Sequence, residues 1–304
     1  MSVTRAAVAH PLRVGWTAGR RWREVLTALL FLGPALLYFA VFKWYPMTQA
    51  ALVSLFEYDL ISPPRYVGLR NYESLLTDTA FQHALASSAR YVIGVAVPVW
   101  VLALAMALEF NRPGRIRAVF RVLYFLPAVG SVVVVAILWK FLFHPLGLVN
   151  ALLGYVGFER IDWLTSVQTA MLALIIAGIW RLSPYFMVIY LAGLKGLSAE
   201  YYEAAALDGA NRWQQFRYIT LPLLQPTIVL VVIVSVILSL RHFINPMLMT
   251  RGGPAGETRV LPLLIYETGF RFSRMGLASA MSMVFFAIML VFTLIQLHIF
   301  RPRD

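Results

Sequence analysis

Gly196 to Pro222 reads GLSAEYYEAAALDGANRWQQFRYITLP. The stretch is a polar insert between two long uncharged runs, residues 163–194, broken only by Arg181, and residues 218–240. Ser198 is placed to cap a helix whose first turn carries Glu200, where a negative charge meets the helix dipole. Residues 201–207 are good helix formers, and Gly209 can stop that helix in a left-handed conformation. Asn211 can then cap a second short helix with Trp213, Phe216 and Ile219 on roughly one face. Pro222 is expected to end the unit before the next apolar run. The reading is a helix–turn–helix outside a membrane, with aromatic and apolar residues that need something to cover them.

The runs on either side are long enough to cross a bilayer, whose core of about 30 Å takes about 20 helical residues. Comparable runs recur along the chain at 25–42, 91–108, 122–139 and 275–300. Several are rich in Val and Ile, which favour strands in water. In lipid the helix wins, because its backbone satisfies its own hydrogen bonds. The expected fold is all-α: a polytopic membrane protein with six transmembrane helices. The spans fall at about 25–45, 88–110, 120–143, 168–194, 224–248 and 276–300. An even count places both termini on one side. Arg5, Arg13, Arg20, Arg21, Arg23, the arginines 112, 115, 117 and 121, Lys195, Arg212, Arg217, Arg301 and Arg303 outnumber the positives on the opposite side. That bias puts the termini and the 195–222 insert in the cytoplasm. Residues 1–24 are then a cytoplasmic segment, 25–300 one six-helix transmembrane domain and 301–304 a cytoplasmic tail. The last outer connection, with Arg251, Arg259, Arg271 and Arg274, runs against the bias. The first apolar run exceeds the about 7–15 residues of a signal-peptide core. Lys43-Trp44-Tyr45-Pro46 follows it as an interfacial anchor.

Composition excludes other classes. The 304 residues are 60% hydrophobic and 13% charged, where a soluble globule carries roughly 25% charged residues. The net charge of +12 is spread over short connections rather than one patch, which argues against nucleic acid. The chain has no cysteine, so disulfides and thiolate metal sites are out. His242 has no clustered His or carboxylate with it, so no metal site is expected. Neither Lys43, Lys140 nor Lys195 sits in the Gly-Lys-Ser/Thr context of a phosphate-binding loop, so no such ATP site is expected on this chain.

The insert resembles the EAA loop of binding-protein-dependent ABC importers, on Glu203-Ala204-Ala205, Gly209, Ile219 and Leu221-Pro222, with every spacing met. Other stretches resemble the carbohydrate-uptake branch, of the maltose and glycerol-phosphate permease type. These are Glu57-Tyr58-Asp59-Leu60, Tyr66-Val67-Gly68-Leu69 with Asn71-Tyr72, Phe125-Leu126-Pro127, Gly147-Leu148-Val149-Asn150 and Thr250-Arg251-Gly252-Gly253-Pro254. The segment Arg241-His242-Phe243-Ile244-Asn245-Pro246 departs from the Phe-Asp-x-Ile-Tyr-like pattern of many relatives. The resemblance implies a multi-pass subunit of the cytoplasmic (inner) membrane whose EAA loop docks on a separate ATPase. Glu203 would pair with a basic residue of that ATPase and Gly209 would allow the tight turn. Asp208 would belong to the same coupling set. It implies as partners a second permease subunit, two copies of a cytoplasmic ABC ATPase and an extracytoplasmic solute-binding protein. ATP and Mg would be used by the ATPase, with no cofactor on this chain. The subunit itself would not be an enzyme.

Candidates for the solute path come from the residues. Arg181 falls near the bilayer midplane, where a charge should face the bundle interior or water. Trp180 and Tyr185 flank it and suit the apolar faces of a sugar, while Pro184 weakens the local helix ladder. Arg241 is expected to snorkel to the outer interface, with His242 and Asn245 lining the outer end of the path. A structural role for Arg181, bonding a neighbouring helix, stands beside this reading. The solute is read as a sugar, with glycerol-3-phosphate or another polyol or anionic solute as the alternative. A secondary transporter is the alternative of a different class, though no mid-span carboxylate supports proton coupling.

Overall fold

The computed structural model describes residues 18–299. Arg5 and Arg13, the end of the last expected span at Phe300 and the tail 301–304 lie outside the described residues. Packing divides the chain into two units, the first ending at Leu52 and the second beginning at Val53. The first is a helical run. Helix α1 (Ala18–Phe39) passes through a π-turn, Ala40–Trp44, into α2 (Tyr45–Val53). Lys43-Trp44-Tyr45-Pro46 therefore does not end the helix. The widened turn, closed by Tyr45 N–H on Ala40 O, lets Pro46 sit in a continuing helix despite having no N–H to give.

The second unit opens on two two-residue strands, β1 (Phe56–Glu57) and β2 (Arg65–Tyr66), with Glu57 opposite Arg65. They are the one departure from all-α among the described residues. Helix α3 (Arg70–Thr77) leads to α4 (Thr79–Phe110), whose N-cap Asp78 accepts from the N–H groups of Ala80 and Phe81. Next come α5 (Arg115–Val129), α6 (Val132–Leu142), α7 (Leu148–Tyr155) and α8 (Ala170–Lys195). The insert holds α9 (Ala199–Leu207), α10 (Arg212–Gln215) and α11 (Leu221–Leu223), and leads into α12 (Gln225–Leu240). Helix α13 (Leu261–Tyr266) and α14 (Met275–Ile299) complete the order.

Among the described residues, four helical runs are long and apolar enough to cross a membrane unbroken: Val25–Val53, Thr79–Phe110, Ala170–Lys195 and Met275–Ile299. The third expected span is instead a bent pair, and the fifth begins as the second arm of a pair whose first arm, Arg212–Leu223, lies in the insert. Helices α5 and α6 meet at 102°, and Arg212–Leu223 meets Gln225–Leu240 at 67°. In the first pair Gly130 and Ser131 take extended backbone, shortly after Pro127. Glycine is the weakest helix former after proline, so the break falls there. In the second pair Pro222 and Pro226 flank the break at Leu224.

Helices α4 and α8 form the most extensive pairing. Val95, Val99 and Ala103 of α4 and Ala173, Leu174 and Ala177 of α8 are fully buried. Lipid removes the hydrophobic gain between such helices, so small residues that admit close dispersion contact hold them together. Polar bonds fix the neighbours: Trp100 Nε1 donates to Ser235 Oγ of α12 at 2.7 Å, and the Leu261 N–H of α13 donates to Ser88 Oγ at 2.8 Å. Leu75, Phe81, Leu261, Leu277 and Met281 form a second cluster.

Glu109 pairs with Arg112 at 3.2 Å and Arg117 at 2.8 Å. The arginine-rich connection between α12 and α14 is partly self-neutralised. The buried Glu267 carboxylate takes Arg259 at 3.0 Å and Arg271 at 3.2 Å, while Glu257 takes Arg90 at 2.7 Å. Asn150, buried at the α7 end, donates to the carbonyls of Pro145 and Ile161 and accepts from Ile161 N–H and Trp163 Nε1. Asn150→Ala leaves these groups unpaired and should lower stability by roughly 2–4 kcal/mol. A detergent melt in which the variant matches the parent would rule out this staple.

Candidate functional site

The insert carries its caps as read. Ser198 Oγ accepts from Glu200 N–H at 3.3 Å. Helix α9 ends with Ala210 N–H on Ala205 O at 2.8 Å and Gly209 N–H on Ala206 O at 3.1 Å, with Gly209 at φ +80°. This is the Schellman arrangement, which favours a residue without Cβ. Nothing lies within 4 Å of a Cβ added at Gly209, so backbone handedness alone makes the demand. Asn211 and Gln214 form a reciprocal capping box, with bonds of 3.0 and 2.7 Å.

The second half differs from expectation. Helix α10 continues through a π-turn, Phe216–Thr220, into α11, and Pro222 sits inside that run. The π-turn shifts the ladder, with Leu221 N–H on Phe216 O, so the missing proline N–H breaks nothing there. Tyr202 Oη and Thr220 Oγ1, 3.0 Å apart, tie the two halves together. The Trp213 and Phe216 rings pack at 5.5 Å. Leu207, Trp213 and Tyr218 are 90%, 69% and 74% exposed. Glu203, Ala204, Asp208 and Pro222 are exposed as well, while Ala205, Ile219 and Leu221 are half-buried. Glu203 and Asp208 form no ion pair among the described residues.

A polar group lies within the helices of the second unit. Gly178, Arg181 and Tyr185 share one stripe of α8 by their spacing. Opposite, the Tyr91 ring of α4 lies flat on His242, with centroids 4.3 Å apart and planes 10° from parallel. Arg181 lies within electrostatic reach of both rings. Tyr91 Oη, Arg181 Nε, His242 Nε2, Ser239 Oγ and both amide atoms of Asn245 are buried without a hydrogen-bond partner. Arg181 makes no ion pair among the described residues. A Cβ added at Gly178 would stand 2.5 Å from Tyr91 Oη and 3.0 Å from Val95 Cγ2. Orphaned buried polar atoms each cost free energy, so such a set calls for a function.

Of the expected path residues, Arg181 and His242 come together and Asn245 is buried three residues on. Trp180 instead meets Trp139 edge to face at 5.6 Å, and Tyr185 packs on Phe186. Arg241 is exposed at the end of α12. Tyr91 and Gly178 were not singled out by the sequence. A glycine within an apolar helical run was the available signal for the second.

A family model described as a binding-protein-dependent transport system inner membrane component matches residues 100–303. The chain belongs to that family. This inner membrane component is 35% identical to the lactose transport system permease protein LacF of Rhizobium radiobacter, over 90% of this chain and 94% of that one. It is 31% identical to the sulfoquinovosyl glycerol transport system permease protein SmoG of Agrobacterium fabrum, over 95% of each. Its fold matches a chain of a bacterial alginate ABC transporter solved with a periplasmic protein bound to alginate pentasaccharide. That match has a TM-score of 0.81 at 24% identity, and covers 92% of this chain and 95% of that one. As a family member, this inner membrane component is a transport subunit and not an enzyme.

Proposed function

We propose that the chain is the permease subunit of an ATP-driven carbohydrate importer and forms half of its translocation path. The orphaned polar group around Arg181, inside an otherwise apolar bundle, carries this reading. The carbohydrate class is supported by the lactose and sulfoquinovosyl glycerol permeases, related along almost their whole length. In this reading α5 with α6 counts as one bent span, and α12 without the Arg212–Leu223 arm as another. That makes six, with residues 1–24, 195–222 and 301–304 in the cytoplasm. The exposed face of α9 to α11 docks on a separate ATPase through Glu203, Ala204, Ala205, Asp208 and Gly209, with Ile219, Leu221 and Pro222 behind them. A second permease subunit, two ATPase copies and an extracytoplasmic binding protein complete the assembly. ATP and Mg are used by the ATPase. Tyr91, Arg181, His242 and Asn245 offer hydroxyl partners, with Trp180, Tyr185 and Arg241 towards the edges of the path. An anionic carbohydrate is the second reading, favoured by an Arg181 that faces no carboxylate.

The test uses proteoliposomes of the assembled complex with saturating loaded binding protein. Arg181→Met removes one charge-assisted bond to the passing solute, worth about 1.5–3 kcal/mol, so solute imported per ATP should fall about tenfold or more. Unchanged import ratios in R181M, H242A and N245A together would take this group off the path. Uptake competed by carboxylated sugars and not by neutral ones would select the second reading.

A further inference from the structure

The arginines that run against the charge bias are only partly absorbed by ion pairs. Arg259 and Arg271 meet Glu267. Arg65, Arg70 and Arg274 make no ion pair among the described residues, and all three line one cavity of about 580 Å³. It lies between the β1–β2 hairpin, α3 and the start of α14.

The cavity is built on tightly tied backbone. Asn71 Nδ2 donates to the carbonyls of Ser54 at 2.8 Å and Phe56 at 2.9 Å. Gly276 N–H donates to Tyr58 O at 3.2 Å. A Cβ at Gly276 would run into the Phe56 carbonyl, so α14 and the hairpin touch backbone to backbone. Two carboxylates also line the cavity, Glu57 and Asp59. Asp59 is taken up by its own turn. It accepts from Ser62 N–H at 2.7 Å, Ile61 N–H at 3.0 Å and Ser62 Oγ at 3.0 Å. The Ser62 N–H, above all, holds this carboxyl below its ordinary range. Among the described residues, three guanidiniums without an ion pair therefore share the cavity with one carboxylate, Glu57, that has none. Guanidinium forks match carboxylates in two-bond geometry.

We infer that this cavity is the docking socket for acidic side chains on the solute-binding protein. The family is defined by dependence on such a protein, and the charge excess selects an acidic surface. Exposed charges of this kind act mainly by steering encounter, so the socket sets how fast the binding protein arrives. The inference rests on the outward placement of this face in the proposed topology.

The closing experiment separates the two. The chain has no cysteine, so Ser74→Cys puts a single thiol at the cavity wall. The full complex carrying S74C is treated with a membrane-impermeant maleimide in right-side-out and inside-out vesicles. Labelling from outside, slowed about tenfold by the cognate binding protein, is expected. Labelling only in inside-out vesicles overturns the topology and the socket with it. Outside labelling that the binding protein leaves unchanged overturns the socket alone. So does protection that follows the anionic-lipid content of the vesicles instead. In the second arm, the double variant R65E/R274E should associate with the binding protein about tenfold more slowly, with a flatter salt dependence, whereas R65K/R274K keeps both. An association rate and salt slope equal to the parent's in R65E/R274E overturn the socket as well.

Discussion

Gly209→Val should reduce ATP-driven uptake at least tenfold while leaving the chain folded in the membrane. The native residue sits at φ +80° with open space around it. Valine meets no neighbour there, yet the left-handed conformation costs an L-residue about 1–2 kcal/mol, and more when it is β-branched. The cheapest escape is to unwind the Schellman bonds from Ala210 and Gly209 to the end of α9. That re-aims Glu203, Ala204 and Leu207 relative to α10. A surface that must fit a partner loses about a factor of ten for each 1.4 kcal/mol. Gly209→Asn, which tolerates the left-handed region, should keep most of the activity. Glu203→Ala leaves the turn intact and removes one exposed carboxylate, so its loss should be smaller and salt-sensitive. Full uptake in both G209V and E203A vesicles would sink the coupling assignment.

Gly178→Leu is expected to abolish uptake, and here the cause is crowding. The α4–α8 contact leaves no room for a Cβ opposite Tyr91. Overpacking a well-filled site costs about 1–3 kcal/mol, and relief comes from displacing the Tyr91 ring off His242. The gentler pair G178A and Y91F separates crowding from unfolding. The atom nearest the added Cβ is Tyr91 Oη, so Y91F should recover most of the melting temperature lost in G178A. A double-mutant cycle reads this as strong coupling between the sites. Simple additivity of the two changes would show that the close approach is not felt.

The contrast between these two glycines shows what the sequence could tell. Ser198, Gly209 and Asn211 speak about their own few residues, and caps are local chemistry, so all three were legible. Long uncharged runs likewise disclosed the apolar helices. Hydropathy is blind to direction, so it joined α5 to α6 across Gly130 and missed a 102° turn. The unit ends close to Pro222, at Leu224, but the helix passes through the proline itself because the preceding π-turn had already shifted the ladder. Tyr91 looked like one more aromatic at the start of an apolar run. Its meaning depends on His242, a long way along the chain, and on the gap at Gly178. Glu267 was invisible for the same reason: its two arginines are recognisable only once α13 and the following π-turn have folded.

Helix α8 runs unbroken from Ala170 to Lys195, with Arg181 near its middle and the α9 cap just beyond its end. Arg181 and Lys195 are about 21 Å apart along it. It is therefore a stiff lever with its load arm inside the membrane. If its Lys195 end is pushed sideways so that the rod tilts by about 5°, a point about 21 Å away moves by roughly 2 Å. That is close to half a hydroxyl's hydrogen-bonding reach. In the proposed importer a stroke this small at the handle would reach the Arg181 group, through a rod that Pro184 does not interrupt.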